Sequence, residues 1–273
     1  MEQGSSENVK MPKCSLNKRL SLIRYPGGKS KIADYIYQKI NPVKSERLVS
    51  PYAGGGSVEL ALLYSGVVKN LVLNDYDFGV YSLFRLIQDF PDALILEIQN
   101  HEPTHDDFIS ARQIIKSGYA GCDLFDAAWS LLVVNRLAFS GIYKANPLGG
   151  IRGDRTKLLS RWNPSDLCRR IRLIHEMSHR YTVLNQDALE VIEEEYWGNR
   201  TTIFLDPPYY HQGKNLYRYF YEEEDHLELQ FLLDELHKGF PCADILLCYD
   251  DADFIESIYK YPKIERIQRK FSA

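Results

Sequence analysis

The chain has 273 residues, 45% hydrophobic and 26% charged, with a formal net charge of −4. That balance fits a globular protein of one large domain, or one domain carrying an insertion. It excludes a transmembrane helix, because no run of about 18 apolar residues occurs, and it argues against a protein that coats nucleic acid over its whole surface. Cys14, Cys122, Cys168, Cys242 and Cys248 are scattered without a C-x-x-C pair, so a metal site or disulfide framework is not expected and reduced, cytosolic thiols are.

Residues 1–20 are polar, mixed in charge and free of an apolar signal core, and read as a flexible leader. The stretch "RYPGGKSK", residues 24–31, is half of a phosphate loop. Lys29 and Ser30 follow Gly28, but a Walker-type loop needs a further glycine where Ile23 stands. "SKIADYIYQKI" then has helical spacing through Ile32, Tyr35, Ile36 and Ile40, and Pro42 ends it. "RLVSPYAGGG" reads as a short strand near 48–50 running into a glycine turn. "SVELALLYSG" reads as a helix capped by Ser57 and closed by Gly66. "NLVLND" is a second buried strand ending at Asp75, an acid about 20 residues past the glycines, as in nucleoside-binding βαβ units.

From Asp77 to about residue 135 the pattern is helical. "SGIYKANPLGGIRGDRTKLLSRWNP" follows, aperiodic and rich in Gly, Pro and Arg, and predicts a long exposed loop or hairpin. Between Lys144 and Arg172 eight basic residues (Lys144, Arg152, Arg155, Lys157, Arg161, Arg169, Arg170, Arg172) stand against Asp154 and Asp166. This is either a solvated surface or a footprint for a polyanion. After a helix over 165–178 come strand-like runs "YTVLNQD", "TTIFLDPPYY" and "ADILLCYDD", separated by helices near 189–196 and 224–238. The alternation predicts an α/β fold with a mostly parallel sheet covered on both faces.

The run "FLDPPYY", Phe204 to Tyr210, carries the chemistry. A buried strand delivers Asp206 to its C-terminal edge, where open α/β sheets bind ligands. Pro207 and Pro208 stiffen the backbone and leave carbonyls without N–H donors, and Tyr209 adds a flat ring. A rigid pair of acceptors beside a stacking surface suits an exocyclic amine with two N–H donors. A strand ending in a plain proline turn is the bland alternative. "TIFLD" as the apolar strand and acid of a nucleotide hydrolase is another, opposed by the missing first glycine and by prolines where a second acid would stand.

In motif order, the sequence from about residue 22 onward resembles the Dam-type (class D12, alpha group) DNA adenine-N6 methyltransferases. "RYPGGK" is similar to their aromatic-x-G-G-K, and "SPYAGGGSVEL" to their P-F-x-G-x-G-S strand–loop–helix, with Tyr52 where phenylalanine is usual. Asp75 matches the acid after the second strand and Asp206 to Tyr209 the D-P-P-Y motif. "NRLAFSGIYKAN" is similar to N-R-x-x-x-x-G-x-x-[RK]-x-N of the DNA-reading insert.

The resemblance implies a Rossmann-like methyltransferase sheet (21–80 and 176–273) with a helical and loop-rich DNA-recognition insert (81–175). It implies S-adenosylmethionine held by Tyr25, Lys29, Tyr52, Gly54, Gly56, Asp75, Asp187 and Asp206. Asp187 explains equally well as the cap of the following helix. Catalysis would fall to Asp206, Pro207, Pro208 and Tyr209, with no metal. Double-stranded DNA would be gripped by Arg136, Lys144, Asn146, Arg152, Arg155 and Lys157.

A cytoplasmic monomer of bacterial or phage origin is implied, with a cognate restriction endonuclease as a further partner and no membrane contact. Ser50 departs from the acid that many relatives carry before the proline, and the sequence stops at "RIQRKFSA", where relatives are expected to continue into one more strand. Action on cytosine N4 or an RNA base, and a non-catalytic DNA-binding relative, are the alternatives. Asp206 disfavours the first of these, since cytosine-modifying relatives tend to carry serine there.

Overall fold

The computed structural model describes residues 16–17, 19–24, 29–40, 45–211, 218–260 and 262–267. Tyr25, most of the 1–20 leader and residues 268–273 lie outside these. Five strands, β1 (Arg47–Ser50), β2 (Asn70–Asn74), β3 (Tyr181–Leu184), β4 (Thr201–Leu205) and β5 (Asp244–Leu247), form one sheet in the order β3-β2-β1-β4-β5. Every pairing is parallel, with Val49 of β1 beside both Val72 of β2 and Ile203 of β4. The α/β expectation therefore holds, and β1 lies at the centre.

Side chains alternate across the pleat. Leu48, Leu71, Leu73 and Phe204 join one apolar cluster, while Val49, Val72, Ile203 and Leu205 join the other. Both faces of the sheet are thus packed, which is why its strands read as continuous apolar runs.

A 3₁₀ turn (Lys29–Ile32) and α1 (Ala33–Lys39) precede β1, and α2 (Ser57–Tyr64) joins β1 to β2. The β2–β3 connection holds α3 (Phe78–Asp89), α4 (Pro91–Asn100), α5 (His105–Lys116), α6 (Leu124–Leu137), the single turn α7 (Arg155–Leu158) and α8 (Pro164–His175). Several of the longer ones have a local start signal. Asp77 caps α3, Thr104 and Asp107 form a capping box on α5, and Asn163 caps α8 with Pro164 in its first turn. α6 packs along α3 and α5, so the insert shares the core of the first sheet face. α9 (Ala188–Glu195), α10 (Glu223–Gly239) and α11 (Asp253–Ile258) cover the other face through Ile192, Leu229, Leu233 and Ile255.

Two expectations are corrected. Ser57 does not cap α2: it is the first helical residue, and the cap position is Gly56 at φ 58° with no side-chain cap bond. The bend needs a left-handed residue where the chain turns, and a Cβ there would also press on Phe84 at 3.1 Å. The segment 140–164 is not one open loop. It is pinned by an antiparallel bridge between Ala138 and Pro147, by α7, and by buried Leu158 and Trp162. Elements this short are beneath the reach of a periodicity argument.

One buried side chain ties the ligand-facing edge together. Asn74, fully buried at the end of β2, donates from Nδ2 to the carbonyls of Pro51 (2.9 Å) and Gln186 (3.1 Å). It also accepts from the Gln186 N–H at 2.9 Å. It thereby fixes the exits of β1, β2 and β3 relative to one another. Asn74→Ala strands three backbone partners, and we expect a loss of about 2–4 kcal/mol in urea unfolding. A change under about 0.5 kcal/mol, the size of an ordinary surface substitution, would remove Asn74 from this role.

Candidate functional site

The order β3-β2-β1-β4-β5 reverses direction between β1 and β4, and open α/β sheets bind ligands at that crevice. Here it holds a cavity of about 650 Å³, in the range of small-molecule sites. The bend 51–57 after β1 meets Asp206 and Pro208 of the turn after β4 at it, and α6 and α8 supply Arg136 and Arg170 to its lining.

The bend is held by an acid. Asp75 accepts the Gly54 N–H on Oδ2 at 2.7 Å and the Asp77 N–H on Oδ1 at 2.9 Å. Gly54 and Gly56 both have left-handed backbones, φ 49° and 58°, so no Cβ narrows the cavity there. Burial pushes the Asp75 carboxyl up to about 7. Asp77, below it, caps α3, accepts from the Tyr119 hydroxyl at 3.0 Å, and is likewise raised by burial. Tyr52 lines the cavity and shares a 2.7 Å hydrogen bond with the Tyr221 hydroxyl. Asp187 also lines it, but caps α9 by accepting the Leu189 N–H at 2.8 Å, so both readings of this residue have a geometric basis.

Sequence reasoning missed Glu59. Ser50 lacks the acid expected before the proline, yet a carboxylate stands beside it. Glu59 reaches back from the first turn of α2 and accepts the Ser50 hydroxyl at 2.9 Å and the Val58 N–H at 3.1 Å. It is buried on the cavity wall, and burial, with Asp206 nearby, pushes its carboxyl up to about 7. A polar residue in the buried stripe of "SVELALL" was the available signal.

The turn after β4 is clasped by Lys29. The buried ammonium pairs with Asp206 Oδ1, donates to the Tyr209 hydroxyl at 2.5 Å, and lies 4.8 Å from the centre of the Tyr209 ring. Lys29 is therefore part of the Asp206 turn as well as of the cavity wall. Asp206 and Pro208 face the main cavity. Tyr209 lines a second one of about 1,070 Å³, and Lys29 and Phe204 border both.

The expected DNA-contacting residues divide into two sets. Lys144, Asn146, Arg152, Arg155 and Lys157 lie on the segment after α6, away from the buried core, with Arg155 paired to Glu102 at 2.6 Å. Arg136 is buried on the cavity wall instead. Burial, then the neighbouring Arg170 and Arg24, lower its pKa to about 10. Its Nε has no hydrogen-bond partner among the described residues. Arg24 and Arg170, which sequence reasoning did not single out for this edge, line the same wall. Tyr25 lies outside the described residues. Among those described, no cluster of His, Cys, Asp and Glu is arranged for a metal, and no helix is long and apolar enough to cross a membrane.

Comparison with known proteins gives two findings. The model of the family described as D12 class N6 adenine-specific DNA methyltransferase matches residues 25–273. The chain is also 25% identical over 126 residues to "Type II methyltransferase M1.LlaDCHI" of Lactococcus lactis subsp. cremoris. That match covers 45% of this chain and 43% of the relative, so it spans less than half of either.

The Glu59 and Asp75 carboxyls set a pH dependence. Glu59 and Asp75 titrate near 7 in the folded protein against ordinary values of 4.5 and 3.8. Between about pH 4 and 7 the folded state keeps protons that the unfolded chain releases, so these groups lower stability as pH rises through that window. We expect Glu59→Gln to gain in melting temperature relative to wild type between pH 5 and pH 7.5. A constant difference across that range would mean that Glu59 titrates as an ordinary carboxylate.

Proposed function

Because the chain belongs to the D12 class N6 adenine-specific DNA methyltransferase family, we propose that it methylates N6 of adenine in double-stranded DNA with S-adenosylmethionine as donor. The observation that carries this reading is the meeting of Asp206 and Pro208, from the turn after β4, with the Gly54–Gly56 bend at one cavity.

The cavity's chemistry fits such a donor. A cationic nucleoside suits the part of the wall bearing Glu59, Asp75 and Asp206, while the arginines of the same cavity suit an anionic partner. The residues to hold it are Tyr52, Gly54, Gly56, Asp75 and Asp187, with Asp75 toward the ribose hydroxyls and Glu59, beside Ser50, toward the methionine ammonium. Lys29 and Tyr25 complete the set that the family's motifs imply. When bound, the donor supplies an electrophilic methyl group on a sulfonium.

Adenine N6 is a poor nucleophile because its lone pair is delocalised into the ring. Asp206 and the Pro207 carbonyl accept its two N–H bonds and localise that lone pair. Each 1.4 kcal/mol gained in the transition state is worth about tenfold in rate. Lys29 holds one Asp206 oxygen and the Tyr209 hydroxyl in place, so the acceptor is oriented before the base arrives. A paired adenine cannot reach this turn and must be flipped out, at a few kcal/mol; the Tyr209 ring is buried beside Lys29 and faces the second cavity, so stacking on it, worth about 1–3 kcal/mol, requires the base to enter from that side.

In this reading residues 81–175 serve as the DNA-recognition insert on the catalytic domain of 21–80 and 176–273. Lys144, Arg152, Arg155 and Lys157 neutralise phosphates, and Arg136 and Asn146 read base edges or the nearest phosphate. The enzyme would act on DNA in the cytoplasm as a monomer, with a restriction endonuclease of the same specificity as its counterpart.

With labelled donor and plasmid DNA, wild type should yield N6-methyladenine and Asp206→Ala at least about 10²-fold less. Label of equal strength from both, or label confined to cytosine or RNA, overturns the assignment. Replacing Lys144, Arg152 and Lys157 by Ala should weaken DNA binding and flatten its salt dependence, by about one unit of slope for each phosphate no longer neutralised, with donor affinity unchanged. An unchanged salt slope takes these residues off the DNA.

A further inference from the structure

The turn that carries Asp206 has a mechanical problem. Pro207 and Pro208 have no N–H to donate, so the backbone cannot anchor itself through that stretch. Upstream it is secure: the Cys248 N–H donates to the Leu205 carbonyl at 2.8 Å, carrying the β4–β5 pairing up to the residue before Asp206. Downstream, the first two consecutive N–H groups after the motif, those of Tyr210 and His211, donate to one carboxylate. They reach Asp250 Oδ1 at 3.1 Å and Oδ2 at 3.0 Å. Asp250 lies three residues beyond the end of β5, the strand that flanks β4.

The Tyr210 side chain is fixed as well. Its ring stacks on Phe254 of α11 with centres 4.8 Å apart, and its hydroxyl donates to Glu223 of α10 at 2.6 Å. These contacts set where the strand goes after the turn. Only Asp250 bonds the backbone at the point where the turn ends, among the hydrogen bonds of the described residues at Tyr210 and His211.

We propose that Asp250 is a positioning residue for methyl transfer: its carboxylate clamps the exit of the Asp206–Tyr209 turn so that the Asp206 carboxylate and the Pro207 carbonyl keep the separation that one amine requires. The inference rests on the function proposed above. It assigns a role in the rate step to a side chain that lies off the wall of the main cavity. Two bonds from one carboxylate to adjacent amides resist rotation of the turn about its own axis, which a single bond would permit. A displacement of about 1 Å at such a point can cost about 10²-fold in rate.

The test compares Asp250→Ala and Asp250→Asn with wild type, using the full chain. Rates are normalised to the fraction of enzyme that binds S-adenosylhomocysteine in calorimetry, which removes any loss from misfolding. Asp250→Ala should lose about 10²-fold in kcat, with KM for DNA and S-adenosylhomocysteine affinity within about twofold of wild type. Asp250→Asn keeps one acceptor and should recover part of the rate.

Hydrogen exchange read at the Tyr210 and His211 amides should show both deprotected in Asp250→Ala while β4 amides stay protected. A wild-type kcat per binding-competent molecule in Asp250→Ala overturns the proposal. So does retained protection at both amides, a readout independent of catalysis. Absence of methylation by wild type, with the exchange result as expected, instead counts against the proposed reaction.

Discussion

Parallel pairing of β1 with β4 is the constraint on which the site depends. Val49 beside Ile203 sets the register, and each strand then releases its chain at the same edge: β1 into the glycine bend, β4 into the Asp206 turn. A slip of one residue would reverse every side chain of β4. Leu205 would leave the cluster it shares with Val191 and Leu229, and Asp206 would turn from the cavity. Burial of both sheet faces makes that slip costly, so the packing that stabilises the sheet also aligns the two halves of the site.

The cavity divides its charges. Glu59, Asp75 and Asp206 stand with the strand ends, while Arg24, Arg136 and Arg170 stand on the insert-facing side. Desolvation works against both groups: it holds two carboxyls near 7 and lowers Arg136 to about 10. Buried charges on this scale are expensive for stability and are concentrated where a protein binds charged partners. A donor cation at the acids and a nucleic-acid phosphate at the arginines would relieve each side separately. Lys29 and Arg218 stand among the acids instead: Lys29 clasps Asp206 and Tyr209, and Arg218 lies 3.9 Å from Asp77.

Much of this was legible in the sequence because the signals are local. The apolar runs 47–50, 70–74 and 201–205 give the strands, the glycines give the bend, and Asp-Pro-Pro-Tyr gives the turn. What escaped was determined by contacts distant along the chain. The resemblance places Lys29 at the cofactor site, but its pairing with Asp206, 177 positions away, has no local signal. Glu59 reads as an ordinary first-turn acid of a helix until Ser50 and the cavity surround it. Asn74 reads as a strand residue until Pro51 and Gln186 appear as its partners. The segment after α6 misled because turns of three or four residues show no periodicity, while buried Leu158 and Trp162 hold it down.

The most direct test of the account is a crystal structure with S-adenosylhomocysteine and a duplex in which one adenine is held out of the helix. The nucleoside should lie in the cavity between the glycine bend and Asp206. The adenine amine should lie within hydrogen-bond reach of both the Asp206 carboxylate and the Pro207 carbonyl. A nucleoside bound away from the β1–β4 crevice, or an adenine whose amine meets neither oxygen, would contradict it.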